Sequence, residues 1–149
     1  MQVSVIMPIY NAAPFLDRAI QSALEQSQVT ELILIDDAST DGSAEKAQEW
    51  TDREDRIKYL PALEDTPQRA AAARNRGLAV ATKPFIAFLD AEDYYLPGRF
   101  TRTEAYFSEH PEVEGVVEPV EVVYEGPEVL EPQKFAYYSC RLEADGWSS

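Results

Sequence analysis

The chain has 149 residues, of which 27 are acidic and 13 basic, so its formal net charge is −14. Such a surface repels nucleic-acid phosphates, which excludes a general DNA- or RNA-binding protein. No apolar run approaches the ~20 residues that a bilayer-spanning helix needs, and the single cysteine, Cys140, excludes an internal disulfide and fits a reducing compartment. We expect one soluble, cytoplasmic domain over residues 1–149.

The first hundred residues alternate short apolar runs with helical patterns. β-branched and apolar runs predict strands over residues 3–6, 32–35, 57–60 and 85–89. Between them, residues 13–26, 44–50 and 67–81 have the spacing or the alanine content of helices, and Asp41 or Ser43 is suited to cap the second of these helices. The order β-α-β-α-β-α-β predicts an α/β fold with a mostly parallel sheet flanked by helices.

The second part of the chain departs from this rhythm. Residues 98–111 predict a further helix, with Phe100, Thr103 and Phe107 on one face. Residues 113–131 alternate valine with glutamate and contain Pro119 and Pro127, which predicts mixed or antiparallel edge strands with one buried and one solvated face.

Candidate binding residues, most of them polar, collect where three of the predicted strands end. They are Pro8, Ile9, Tyr10 and Asn11 after the first strand, Asp36 and Asp37 after the second, and Asp90, Glu92 and Asp93 after the fourth. Ligands of open α/β sheets bind at the carboxyl ends of the strands, so we expect these residues to surround one site. Closely spaced carboxylates repel unless a cation offsets them, and Mg²⁺ or Mn²⁺ takes one or two carboxylates together with substrate phosphate oxygens.

Other motif-based sites are not supported. The chain has neither G-x-G-x-x-G nor G-x-x-x-x-G-K-[ST], which excludes the common dinucleotide-binding and P-loop arrangements. Its single histidine, His110, gives a catalytic triad little support. The remaining interpretation is a nucleotide-diphosphate site in which a metal, rather than a glycine-rich loop, neutralises the phosphates.

Four motifs, VSVIMPIYN, ELILIDDASTDGS, AAARNRGLAVA and FIAFLDAEDYYLPGR, follow one another in the order and spacing of family 2 glycosyltransferases. The chain resembles that family over roughly its first hundred residues. The resemblance implies a Rossmann-like GT-A fold, with residues 1–100 as the donor-binding half and 101–149 as a divergent part. It also implies sugar transfer, with inversion, from a nucleotide-diphosphate donor to a glycan or lipid-linked acceptor.

The same resemblance implies roles for individual residues. The nucleotide-binding set would be Pro8, Ile9, Tyr10, Asn11, Asp37, Arg69 and Asp90, and the metal set Asp90, Glu92 and Asp93. Tyr10 would offer a stacking face, and Asp37 would accept a hydrogen bond from a uracil imide, which favours UDP. Arg69 would approach the base or the phosphates. The plain expectation for Arg74 is the helix surface, and for Asn75 a structural hydrogen bond.

The sequence departs from the family pattern in two places. It reads D-A-E-D where D-A-D-D is commoner, so Glu92 would hold Mn²⁺ or Mg²⁺ with a shifted centre. Only 56 residues follow Asp93, and neither Glu143 nor Asp145 matches the family's catalytic base, so the catalytic residue stays unassigned. We expect a truncated or naturally short member.

Two alternatives remain open, a non-catalytic nucleotide-sugar-binding relative and a nucleotidyltransferase-like enzyme. The second is disfavoured because MPIYNAAPF lacks a basic glycine-rich loop. A homodimer, and a location at the inner face of the membrane through the acceptor, are also left open.

Overall fold

The computed structural model describes residues 1–117, and the chain forms two compact units, Met1–Thr101 and Arg102–Ser149. The first unit alternates strands and helices in this order: β1 (Val3–Ile9), α1 (Leu16–Leu24), β2 (Val29–Asp36), α2 (Ser43–Thr51), β3 (Ile57–Leu60), α3 (Ala70–Val80) and β4 (Phe85–Phe88). The helix α4 (Thr101–Glu109) follows.

The four strands form one parallel sheet in the order β3-β2-β1-β4. The chain therefore builds outward from β1 to β3 and then returns across the sheet to place β4 on the other side of β1. This confirms the prediction of a parallel α/β sheet. Strand order reverses between β1 and β4, which is where open α/β sheets hold their ligands.

The two faces of the sheet carry separate apolar clusters because successive strand residues point to opposite faces. On one face, Val5, Met7 and Leu34 pack with buried residues of α1 and α2. On the other, Ile6, Ile33 and Ile35 pack against Ala73 of α3. The central strands are buried on both sides, which accounts for their near-continuous apolar sequence.

Strand β1 continues through Pro8 to Ile9, three residues beyond the end that the sequence predicts. Ile6 O accepts from Leu89 N on the β4 side, whereas Ile9 O accepts from Asp37 N on the β2 side. Backbone groups of successive residues alternate between the two sides, so Pro8 points toward β4, past Phe88, where that pairing ends. The missing N–H of proline therefore removes no ladder hydrogen bond.

A buried carboxylate joins the amino ends of the strands. Glu31 on β2 accepts hydrogen bonds from Ser4 Oγ, from Thr82 N at 2.9 Å and from Thr82 Oγ1 at 2.8 Å. Lys58 Nζ lies 2.6 Å from the same carboxylate, and Lys83 N donates to Ser4 Oγ. The connection between α3 and β4 is thus held at the edge of the sheet opposite the strand-end residues.

The helix predicted over residues 98–111 is observed as α4. The prediction of antiparallel or edge strands over residues 113–131 falls mostly outside the described residues, and residues 113–117 form no strand. Over the part of the chain that is described, no helix has the length and apolar character to cross a membrane.

Candidate functional site

A cavity of about 190 Å³ opens at the carboxyl ends of β1 and β4. Its lining is Pro8, Ile9, Tyr10, Asp37, Ala70, Arg74, Asp90 and Glu92. The cavity exists because the pairing of β1 with β4 stops at Ile6 and Phe88, while β1 continues to Ile9. The end of β1 thus forms one wall, and the residues after β4 form the opposite wall.

Tyr10 presents its ring at this cavity. It directly follows β1, lines the cavity and is 49% exposed, so about half of its surface is open to solvent. Ile9 beneath it is fully buried, which anchors the end of the strand. The sequence prediction that Pro8, Ile9 and Tyr10 lie together at a site is consistent with this placement.

Asn11 lies beside the cavity but does not line it. Its Oδ1 accepts from Thr40 N at 2.8 Å, and its own N–H donates to Ser39 Oγ. Asn11 has a φ of 50°, and these bonds to the turn after β2 hold it in that strained conformation. The structure gives Asn11 the role of shaping the β1–α1 loop.

Asp37 is buried and fastens the start of α3. Its two carboxylate oxygens accept from Gln68 N and from Arg69 N, each at 2.8 Å. Arg69, the residue before α3, has a φ of 77°. Its side chain is exposed and does not line the cavity, so the structure involves Arg69 through its backbone.

Helix α3 contributes Arg74 to the cavity. Ala70 and Arg74 are four residues apart and therefore lie on one face of the helix. The Arg74 guanidinium forms an ion pair with Asp90 Oδ1 at 2.5 Å, with the two side chains 34% and 48% exposed. The expectation of a simple surface position for Arg74 is wrong, because the helix turns this side chain toward the end of β4.

The local sequence gives only the helical spacing of Arg74, and the rest of its placement depends on a tertiary contact. The spacing places Arg74 one turn into α3 on the face of Ala70, so once Asp37 is known to hold the start of this helix, Arg74 becomes a candidate for the same site.

The three carboxylates of the D-A-E-D motif are placed differently. Asp90 and Glu92 line the cavity, whereas Asp93 does not, and its N–H donates to Asp90 O in a turn. Within residues 1–117, no group of three or more histidine, cysteine, aspartate or glutamate side chains is close enough to hold a metal by itself. The donor set that fits a divalent cation is the pair Asp90 and Glu92, completed by oxygens from a ligand.

The charge of the lining is negative. Asp37, Asp90 and Glu92 contribute three carboxylates and Arg74 one guanidinium, which leaves two negative charges. A ligand that carries a diphosphate would enter this cavity against repulsion unless a cation accompanied it.

Comparison with known proteins decides the family. The family model described as "Glycosyl transferase family 2" matches residues 4–136, which is most of the chain. The chain belongs to glycosyltransferase family 2. Its fold is GT-A, as the resemblance of the four motifs implied.

Two solved structures of the family align well with this chain. S. aureus TarS in complex with UDP-GlcNAc gives a TM-score of 0.66 with 26% identity, covering 76% of this chain and 33% of TarS. Mannosyltransferase PcManGT from Pyrobaculum calidifontis, in complex with GDP-Man and Mn²⁺, gives a TM-score of 0.60 with 27% identity, covering 70% of this chain and 31% of PcManGT. The family fold is thus known with both a uridine and a guanosine donor.

A curated relative from Escherichia coli is "UDP-Glc:alpha-D-GlcNAc-diphosphoundecaprenol beta-1,3-glucosyltransferase WfgD". It is 40% identical over 98 residues, which cover 65% of this chain and 37% of WfgD. The first curated relatives are matched over 36%, 28% and 39% of their own lengths. This chain therefore spans about a third of the relatives that it matches.

Proposed function

We propose that this chain binds the nucleotide diphosphate of a UDP-sugar together with Mn²⁺ or Mg²⁺, as the donor half of an inverting glycosyltransferase. The observation that carries the proposal is the cavity where strand order reverses, because Asp90 and Glu92 face the end of β1 across it. The fold is that of the family, and the position is the one at which open α/β sheets bind nucleotides.

The electrostatics of the cavity favour a metal-accompanied ligand. A diphosphate adds negative charge to a lining that already carries an excess of two carboxylates over Arg74. One divalent cation bound by Asp90 and Glu92 would offset part of this charge and would stabilise a nucleotide diphosphate as a leaving group. Arg74, paired with Asp90, supplies the one cationic side chain of the lining.

Asp37 retains the capacity to recognise a base. Each of its carboxylate oxygens accepts one backbone N–H, and an ionised carboxylate has about four acceptor positions in total. A uracil imide N–H can therefore be accommodated without breaking the bonds to Gln68 and Arg69. Tyr10 offers the exposed ring on which the base would stack.

Uracil is the base that we favour. TarS was solved with UDP-GlcNAc, and the name of WfgD specifies UDP-Glc, whereas PcManGT was solved with GDP-Man and aligns with a lower TM-score. The name of WfgD also specifies a diphosphoundecaprenol-linked sugar, which supports a lipid-linked or glycan acceptor.

The cavity is small for a whole donor. Its volume of about 190 Å³ is below the ~300 Å³ at which common ligand pockets begin. The base and ribose are the parts that it suits, and the sugar would extend outside it. No catalytic base is assigned among the described residues, so a relative that binds the donor without transferring the sugar is the second candidate.

Calorimetric titration with UDP tests the proposal. We expect UDP to bind at least about tenfold more tightly in Mn²⁺ than in EDTA, because the cation removes the repulsion between the diphosphate and the lining. GDP should bind more weakly than UDP. The double substitution Asp90→Ala with Glu92→Ala should remove the effect of Mn²⁺.

The matched control removes two carboxylates elsewhere. Glu45 and Glu49 are exposed on α2 and do not line the cavity. Their double substitution to alanine changes the net charge by the same amount and should leave the effect of Mn²⁺ intact. Equal UDP affinity in Mn²⁺ and in EDTA would show that Asp90 and Glu92 do not bind a metal with the nucleotide.

A further inference from the structure

Two buried polar side chains at the end of α1 lie outside the cavity. Ser22 is in the last turn of α1, and Gln26 lies just beyond its end. They are 7% and 4% exposed, respectively. Polar groups at this depth are retained where their hydrogen bonds are satisfied, so their partners indicate what they hold.

The side chain of Gln26 joins the end of α1 to the loop that follows β4. Its Nε2 donates to Ser22 O at 3.1 Å and to Leu96 O at 3.2 Å, while its Oε1 accepts from Arg99 N at 3.0 Å. The amide orientation is dictated by these partners, because two are carbonyls and one is an N–H. A single side chain thus forms hydrogen bonds with a backbone carbonyl and a backbone N–H of the segment from Leu96 to Arg99.

Ser22 and Tyr95 extend this attachment toward the cavity. Ser22 Oγ donates to Ala19 O at 2.8 Å and accepts from Tyr95 N at 3.0 Å. The hydroxyl of Tyr95 donates to Phe88 O at 2.8 Å, at the end of β4. The loop is therefore held by α1 on one side and by its own strand on the other.

The attached loop, residues 89–99, is the segment that carries the cavity carboxylates. It contains no regular helix or strand. Within residues 90–94, the one backbone hydrogen bond that anchors it is the turn from Asp93 N to Asp90 O. Downstream of Glu92, the Arg18 guanidinium of α1 lies 4.5 Å from the centroid of the Tyr94 ring, and the bonds from Ser22 and Gln26 attach residues 95–99 to the end of the same helix.

We infer that Gln26 and Ser22 are positioning residues for Asp90 and Glu92. Neither touches the cavity; they act by holding the loop so that the two carboxylates keep the separation that a cation and a diphosphate require. A site with two protein carboxylates depends on this separation, because Mg²⁺ tolerates little departure from octahedral geometry. The inference rests on the proposed donor site. It gives the end of α1, which does not line the cavity, the role of holding the loop that carries Asp90 and Glu92.

The test combines one readout that needs no ligand with one that does. Hydrogen exchange of the amides of residues 90–99 reports whether the loop is held. The ratio of UDP affinity in Mn²⁺ to that in EDTA reports whether the carboxylates are positioned. The variants are Gln26→Ala and Gln26→Met; the second keeps most of the volume but can neither donate to Leu96 O nor offer Arg99 N more than a weak acceptor.

The control is Glu31→Gln, which disrupts the buried carboxylate network at the opposite end of the sheet. It lowers stability without touching the loop, so it separates a positioning effect from general destabilisation. We expect both Gln26 variants to speed exchange at Tyr95 and Arg99 and to lower the Mn²⁺ effect by about 10-fold or more, as losses around metal ligands commonly do. Glu31→Gln should leave both readouts unchanged at 25 °C.

Each outcome separates the two proposals. If the unsubstituted chain binds no UDP, the proposed function fails, and exchange in the loop still decides whether Gln26 holds it. If UDP binding depends on Mn²⁺ and the Gln26 variants retain that dependence in full, the positioning role is wrong while the donor site stands. If Gln26→Ala does not fold, Gln26→Met supplies the same comparison, because it fills most of the volume of the glutamine and lacks only its hydrogen bonds.

Discussion

Gly77 is the residue at which α3 makes its closest approach to the sheet. A Cβ placed on it would lie 2.5 Å from Ile6 Cγ2 and 3.0 Å from Ile35 Cδ1. Glycine is ordinarily unfavourable within a helix, so its presence here reflects packing and not helix propensity. The approach also determines how far Arg74, one turn earlier, extends over the end of β4.

Gly77→Ala should lower the free energy of unfolding by about 1–3 kcal/mol, because crowding against the two isoleucines outweighs the gain in helix propensity. Urea denaturation measures the change. Ala79→Gly, at an exposed position of the same helix, reports propensity alone and should cost about 1 kcal/mol. A more stable Gly77→Ala protein would mean that α3 can move away from the sheet at little cost.

At the scale of elements, Glu31 connects strands that are far apart in the sequence. Burial opposes the charged form of its carboxyl, but hydrogen bonds from Lys58, Ser4 and Thr82 outweigh burial and lower its pKa to about 2. Because the folded pKa is below the ordinary value of 4.5, the charged carboxylate stabilises the fold above about pH 4.5. That contribution is lost as the pH falls from there toward 2.

Glu31→Gln should therefore be less stable at pH 7, by roughly 3 kcal/mol if the whole shift is expressed. The difference from the unsubstituted chain should shrink as the pH is lowered from 5 to 2, where Glu31 becomes neutral. Unfolding free energies at several pH values measure this, and comparison of the two proteins cancels the other carboxylates. A difference that stays constant with pH would show that Glu31 is not the titrating group.

The elements themselves were largely predictable. The four strands and four helices all occur near their predicted positions, because apolar runs and helical spacing reflect burial on a sheet or against it. Boundaries were less accurate. β1 continues through Pro8 because the β4 pairing has already ended there, and α1 begins at Leu16, after Pro14. Such details depend on neighbours that the local sequence does not specify.

At the scale of the whole molecule, the net charge of −14 is the dominant property. An excess of one sign destabilises a compact chain through self-repulsion, and salt screens that repulsion with a Debye length of ~10 Å at 0.1 M.

The melting temperature should therefore rise when NaCl is increased from low millimolar to about 0.2 M, where most surface repulsion is screened. Differential scanning calorimetry in chloride salts measures the shift, and chloride is chosen because sulfate also stabilises proteins through exclusion from their surface. Sucrose, which is uncharged, serves as the control for exclusion. A melting temperature that is independent of NaCl would indicate that the acidic residues are dispersed enough not to repel.

The sequence by itself determined the parallel α/β fold, the family and the strand ends that line the cavity. It could do so because apolar periodicity and four motifs in register are properties of consecutive residues. It placed Asp37, Asp90 and Glu92 at one edge of the sheet, since parallel strands bring their carboxyl ends together. All the assignments to ligand contacts remain predictions, and the side chains of Asn11, Arg69 and Asp93 do not line the cavity.

Only the tertiary structure decided which of these side chains share the cavity and what holds them there. The pairing of Arg74 with Asp90 requires α3 to cross the sheet from β3 to β4, and Gln26 meets Leu96 and Arg99 across 70 and 73 positions of sequence. Neither contact follows from local pattern, because each depends on how an intervening stretch of chain folds back onto the sheet. The strand order, with β4 beside β1, is what brings both about.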